Sequence, residues 1–214
     1  MNTLSPLLLP EAFDLPEAFD RIADDLLRDG YSLCDSLVPA ELLWALYERV
    51  GPRSRAGFRR AGVGRDSAFR LSERLRSDTI HWLDHDYPAE SAYLNWMEQL
   101  RLELNQRLML GLFDFECHFA RYKRGAFYKT HLDAFAGQTN RILSSVLYLN
   151  PVWAPDWGGE LVMYRNFDGE VVETVAPLFG RLVLFLSERF PHEVKPARRQ
   201  RYSVAGWYRV RPDY

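Results

Sequence analysis

The residues best suited to chemistry are a close pair, His131-Leu132-Asp133, and a more distant histidine, His192. Of the five histidines (His81, His85, His118, His131 and His192), His131 is the one that stands in a His-x-Asp pattern. In a strand or at its end, residues i and i+2 point to the same side, so both side chains can reach one ion. His192 follows the β-type run Arg181 to Leu186 and is read as lying at the end of that strand, where it can supply a third ligand. Two imidazoles and one carboxylate on one face of an octahedron suit non-haem Fe(II), with positions left open for a cosubstrate and dioxygen. An ordinary polar surface beside a turn has the same composition, so the pattern does not carry the metal by itself.

Arg201 adds a second chemical group. It opens the run Arg201-Tyr-Ser-Val-Ala-Gly-Trp207. With a period of two, Arg201, Ser203, Ala205 and Trp207 share one face, and Tyr202, Val204 and Tyr208 share the other. The side chains next to Arg201 on its face are small, which leaves room for a ligand. A guanidinium there binds a carboxylate through two parallel hydrogen bonds, a fit that the point charge of lysine cannot copy. The distal carboxylate of 2-oxoglutarate is such a group. The competing reading is a solvent-facing strand arginine, as Arg198 and Arg199 beside it are expected to be.

Helices and then closely spaced strands must position these groups. The hexapeptide Leu-Pro-Glu-Ala-Phe-Asp occurs at 9–14 and again at 15–20, a local duplication too short for a solenoid. A helix is expected from about Pro16 to Arg28, with Phe19, Ile22, Leu26 and Leu27 as its apolar stripe and Gly30 ending it. A short strand follows near Tyr31 to Leu37, then a helix over Ala40 to Val50 carrying Leu42, Leu43, Leu46 and Tyr47. Residues 51–77 mix glycines with many arginines and read as a mobile surface segment able to hold substrate. A long helix spans roughly Pro88 to Leu110, with Trp96, Leu100, Leu104 and Leu108 recurring every four residues. After Phe113 come β-rich runs at 115–122, 127–132, 142–149, 160–164, 170–175, 181–186 and 200–210, separated by turn signals such as Trp157-Gly158-Gly159. This order implies an α+β fold whose core is a jelly roll, a cupin-like double-stranded β-helix, with N-terminal and supporting helices. The expected organisation is a single domain over 1–214, with a helical part and substrate loop in 1–112 and the β core in 113–214.

Bulk composition narrows the class. The chain has 214 residues, 47% hydrophobic and 26% charged, with a formal net charge of −2. That is ordinary globular composition with material for one core. No basic run is long enough to ask for nucleic acid, and there is no apolar stretch of membrane-spanning length. The two cysteines, Cys34 and Cys117, are too few for a disulfide framework, so a reducing cytoplasm is the expected location.

Several segments taken together resemble a known family. His192-Glu-Val-Lys-Pro-Ala followed by Arg201-Tyr-Ser-Val-Ala-Gly-Trp-Tyr208 looks like the closing motif of the prolyl hydroxylase domain enzymes, the group that includes the animal oxygen-sensing hydroxylases. Arg76-Ser-Asp78-Thr-Ile-His-Trp82 is similar to that family's Arg-Gly-Asp…Trp segment. Tyr122-Lys-Arg-Gly125…Tyr128-Lys-Thr-His131-Leu-Asp133 is similar to its Tyr-Pro-Gly…Tyr…His-x-Asp stretch. Tyr148-Leu-Asn150 and Trp157-Gly-Gly159-Glu-Leu161 complete the order, so the resemblance covers about residues 60–210. It is nearest the compact bacterial branch. Two positions depart from the pattern: Lys123 replaces a proline, and Ala205 replaces a threonine.

The resemblance implies a peptidyl-prolyl 4-hydroxylase type of dioxygenase that uses Fe(II), 2-oxoglutarate and O2, with ascorbate as an accessory reductant. It implies His131, Asp133 and His192 as metal ligands, and Arg201 with Tyr148 on the distal carboxylate of the cosubstrate. Tyr122 is implied to reach the cosubstrate near the metal, and Tyr128 to shape the substrate mouth. Arg76 and Asp78 either hold the peptide substrate or pair with each other on the surface. His81, His85 and His118 are read as structural, and Asp114 and Glu116 as solvated. The implied substrate is a protein, with elongation factor Tu as the candidate, because the bacterial branch acts on it. The alternatives are the same chemistry on another protein residue or a small molecule, and a non-catalytic sensor that binds metal and 2-oxoglutarate.

Overall fold

The computed structural model describes residues 15–62, 74–134 and 140–211. The first hexapeptide copy and the stretch 63–73 of the arginine-rich segment lie outside the described residues.

Helix α1 (Leu15–Arg28) buries Ala18, Phe19, Ile22, Ala23 and Leu26. Leu27 does not belong to that stripe: it is 73% exposed. At about 100° per residue, Leu27 falls roughly 100° from the centre of the buried stripe, farther round the helix than any of its five members. The chain leaves the helix through Gly30 at φ 83°, a left-handed conformation that favours glycine. Strand β1 (Tyr31–Cys34) follows, then α2 (Ala40–Val50), which buries Leu43, Leu46 and Val50. Two short strands, β2 (Arg59–Arg60) and β3 (Thr79–Trp82), precede the long helix α3 (Pro88–Leu108). The row that α3 buries includes Tyr93, Met97, Leu100 and Leu104. Trp96 and Leu108 are only partly buried against the core. A strict every-four row drifts about 40° per step from the true period, so the buried row alternates steps of four and three. Among the described residues, no helix is long and apolar enough to cross a membrane.

Strands β4 (Asp114–Tyr122), β5 (Tyr128–His131), β6 (Arg141–Tyr148), β7 (Leu161–Tyr164), β8 (Val171–Val175), β9 (Leu182–Leu186), β10 (His192–Val194) and β11 (Arg201–Arg209) complete the molecule. They form a seven-stranded sheet in the order β1-β9-β6-β11-β4-β3-β2 and a four-stranded sheet in the order β5-β10-β7-β8. All pairings are antiparallel. The larger sheet has two covered faces. Its outer face carries Cys117, Phe119, Leu143, Leu147, Leu182, Tyr202, Val204 and Tyr208, which pack with the three helices. Its inner face carries Ala120, Tyr122, Tyr148, Val183 and Phe185, which pack with Leu161, Met163, Val175 and Val194 of the smaller sheet. Two antiparallel sheets closed face to face in this way make the expected double-stranded β-helix, supported on one side by helices.

Candidate active site

The inner face is the floor of the site, and the register of β11 sets its layout. Arg201, Ser203, Ala205 and Trp207 alternate inward and pair with Tyr122, Ala120, His118 and Glu116 of β4. On the other side, Ser203, Ala205 and Trp207 pair with Tyr148, Val146 and Ser144 of β6. Ala205 is partly accessible although Tyr202, Ser203, Val204, Gly206 and Trp207 around it are all buried. Open space between the ends of the strand gives that pattern.

At one end His131, Asp133 and His192 gather, with their ligating atoms all within 4.8 Å of one another. Asp133 Oδ1 is 3.6 Å from His131 Nε2, and Asp133 Oδ2 is 3.6 Å from His192 Nε2. The two histidines meet because they are direct cross-strand partners in the β5–β10 ladder, where facing side chains are close neighbours. His192 is not at the end of β9. It opens its own three-residue strand, too short to leave a periodic signal. Asp133 is not on a strand either, since β5 ends at His131 and Asp133 occupies the bend beyond it.

Both imidazoles are oriented locally. His131 Nδ1 lies 2.8 Å from the Lys129 carbonyl and His192 Nδ1 lies 3.0 Å from the Phe190 carbonyl. A carbonyl accepts only, so Nδ1 carries the proton and Nε2 turns its lone pair toward the cluster. Burial, reinforced by the neighbouring His131, lowers the His192 pKa to about 4, so this ring is neutral at physiological pH. Burial alone would raise the Asp133 carboxyl, but His192, His131 and the Ser144 hydroxyl outweigh it and hold it well below the usual carboxylate range. Ser144 Oγ donates to Asp133 Oδ2 at 2.7 Å and lies 2.9 Å from Ser187 Oγ. One anionic oxygen donor and two imidazole nitrogens fit a divalent transition metal and leave its remaining positions to non-protein ligands.

At the other end, Arg201 is 1% exposed and makes no ion pair among the described residues. Its Nε donates to the Gly159 carbonyl at 2.9 Å and one Nη to Ser203 Oγ at 3.2 Å. The guanidinium carbon lies 4.9 Å from the Tyr122 ring centre and 5.0 Å from that of Tyr148. Gly159, at φ 74°, permits this approach: a Cβ there would meet Arg201 Cδ at 3.3 Å, with Trp153 and Ala197 closer still. Among the described residues, the fully buried Tyr148 hydroxyl has no hydrogen-bond partner of good geometry. Burial raises its pKa, and the nearby Arg201 charge opposes that rise. Burial likewise raises the Tyr122 hydroxyl, so both phenols are neutral donors. A buried cation without a counter-charge and an orphaned hydroxyl beside it are costly unless an anionic ligand completes them.

Tyr128, Arg76 and Asp78 frame the metal cluster from the side of β5. Tyr128 stacks on His131 with ring centres 3.6 Å apart, and burial pushes its hydroxyl up to about 12. Arg76 and Asp78 do pair with each other, bidentately at 2.8 and 2.6 Å, but not on the surface: Asp78 is 2% exposed. The Arg76 guanidinium lies 4.3 Å over the Tyr128 ring. His118 is buried edge-on to Trp82, with ring centres 5.1 Å apart, and near Trp207, and burial lowers its pKa to about 4. Asp114 and Glu116 take part in cross-strand ion pairs with Arg209 and Arg141. Ser144 escaped the reading of the sequence, although it shares the inward phase of Tyr148 on β6; Ser187 offers no such signal.

Comparison with known proteins gives the same answer. Residues 117–209 match the model of the 2OG-Fe(II) oxygenase superfamily. The chain is 28% identical to human prolyl hydroxylase EGLN3 over 201 residues, 89% of this chain and 83% of that protein. It is similar to a Pseudomonas putida prolyl-4-hydroxylase structure at 43% identity and a TM-score of 0.80, covering 91% of this chain and all of that one. A Trichoplax adhaerens prolyl hydroxylase bound to a hypoxia inducible factor peptide fragment superposes with a TM-score of 0.75 at 27% identity, over 91% of this chain and 90% of that one.

Proposed function

The chain belongs to the prolyl hydroxylase-type 2OG-Fe(II) oxygenases, and from that membership we propose that it hydroxylates a prolyl residue of a protein substrate, elongation factor Tu being the candidate. The observation that carries the chemistry is the pairing of a His131–Asp133–His192 cluster with a buried Arg201 that makes no ion pair among the described residues, on one inner face. In this reading His131, Asp133 and His192 hold the metal. Arg201 and Tyr148 take the distal carboxylate of 2-oxoglutarate, and Tyr122 contributes a donor beside it. Fe(II) with 2-oxoglutarate and O2 supplies the oxidising power, converting a substrate C–H to C–OH with release of succinate and carbon dioxide. The protein's part is to orient the two imidazoles through their Nδ1 protons, keep Asp133 ionised and exclude water from the inner face. Tyr128 and the Arg76–Asp78 pair shape the mouth, and ascorbate would serve only to keep the metal reduced.

A protein substrate is supported by the relatives. The Trichoplax enzyme is bound to a peptide fragment. Elongation factor Tu rests on the resemblance to the bacterial branch. The test is mass spectrometry of elongation factor Tu after incubation with Fe(II)-loaded enzyme, 2-oxoglutarate and air, with His131→Ala as control. A gain of one oxygen on a proline, with wild type alone, is the expected result. Succinate without that gain would discard this substrate and keep the oxygenase; absence of succinate with every peptide tried would favour the sensor alternative.

A further inference from the structure

The three residues of the cluster are not held in the same way. His131 and His192 each donate Nδ1–H to a carbonyl two residues earlier, ties that belong to their own strands. Asp133 sits in a bend past the end of β5, and among the described residues its carboxylate shows no such tie to a backbone group. Among the described residues, its carboxylate accepts a hydrogen bond from β6, donated by Ser144. We propose that Ser144 and Ser187 form a two-hydroxyl relay that positions Asp133 for metal binding. The proposal rests on the metal reading given above.

The direction of the relay follows from proton counting. An ionised carboxylate only accepts, so Ser144 spends its single hydroxyl proton on Asp133. The 2.9 Å contact between the two serines must then be donated by Ser187. Ser144 is 1% exposed and Ser187 is fully buried, so neither hydroxyl faces bulk solvent. Both anchors are rigid. Ser144 lies inside β6, and the Ser187 amide donates to the Ile142 carbonyl at 3.0 Å. Accepting from Ser187 polarises the Ser144 hydroxyl and strengthens its donation to Asp133. The relay thus fixes a loop-borne carboxylate to the central strands, and a carboxylate that cannot swing loses less freedom when it takes a cation.

The test is a titration of metal-free protein with Co(II), read by the visible absorption of the bound ion, alongside thermal unfolding of the metal-free protein. Ser144→Ala is expected to weaken Co(II) binding by roughly 10–100-fold and to alter the shape of the absorption band. Ser144→Thr, which keeps the hydroxyl, is expected to restore both. Ser187→Ala leaves the Ser144 donation in place and is expected to give a smaller loss, about threefold. Wild-type affinity in Ser144→Ala overturns the relay, as does a loss that Ser144→Thr fails to restore, which would assign Ser144 to packing. If Ser144→Ala does not fold, Ser187→Ala decides, and unchanged affinity there overturns the proposal. His131→Ala separates the two levels of the argument. If it binds Co(II) as tightly as wild type, the metal reading itself fails; if it loses binding while Ser144→Ala does not, only the relay is lost.

Discussion

The two ends of the inner face are built on opposite principles. At the metal end every group already has its orienting partner: a carbonyl for each imidazole and a hydroxyl for the carboxylate. At the arginine end, among the described residues, the charge has no counter-ion and the Tyr148 hydroxyl has no hydrogen-bond partner of good geometry. One end is therefore satisfied before anything binds, while the other holds an unmet demand for an anion. The difference suits their tasks. A metal site needs donors fixed in space, whereas a cosubstrate site draws affinity from compensating a buried charge.

Removing a group from each end is the sharpest way to break that comparison. Asp133→Ala or His131→Ala takes away a ligand and is expected to reduce succinate release on the order of a thousandfold or more; turnover near wild type would show that the cluster is not the reacting centre. Arg201→Lys keeps the charge but loses the fork. It should raise the KM for 2-oxoglutarate roughly 10–100-fold and leave Co(II) affinity unchanged, and an unaltered KM would remove the anion from that end. Tyr148→Phe should raise the same KM by about 3–10-fold. Because the hydroxyl is orphaned without a ligand, the same substitution should leave the thermal midpoint of the ligand-free protein unchanged or slightly higher; a marked drop would mean that the hydroxyl already has a structural partner.

The smallest effect at neutral pH belongs between the two ends. His118 is held near 4 against an ordinary value of 6.5, so it stays neutral in the folded protein and takes up a proton on unfolding as the pH falls. Stability from this group is present above pH 6.5 and is lost progressively toward pH 4. Denaturant midpoints for metal-free protein should fall between these values, and His118→Asn should flatten the fall without abolishing it, because His192 titrates in the same window. Equal slopes in variant and wild type would place the acid sensitivity elsewhere.

Much of the architecture was legible because its signals are local. The bounds of α2 and the ends of α1 follow from apolar spacing and from Gly30, and seven of the β runs follow from alternation and turn residues. The failures have physical reasons as well. β10 has three residues and no room for a period. β3 lies inside the segment that resembles the family's Arg-Gly-Asp…Trp stretch, and β2 inside one read as mobile; each is held by pairing with a strand distant in sequence. The types and spacing of Arg76 and Asp78 allow them to pair with each other, but that the pair is buried rather than on the surface depends on the strand that packs beside them.

For the site itself, sequence alone determined the kinds of donor, the face that Arg201 shares with Ser203, Ala205 and Trp207 on β11, and the turn at Gly158 and Gly159. Those are properties of residue type, strand period and backbone freedom, all set within a few residues. Tertiary structure alone decided that His192 faces His131 across a ladder, that no acid among the described residues pairs with Arg201, and that Ser187 reaches Asp133 through Ser144. Each of these depends on strand register between segments far apart in the chain, and a shift of one residue in that register would turn the same side chains to the opposite face.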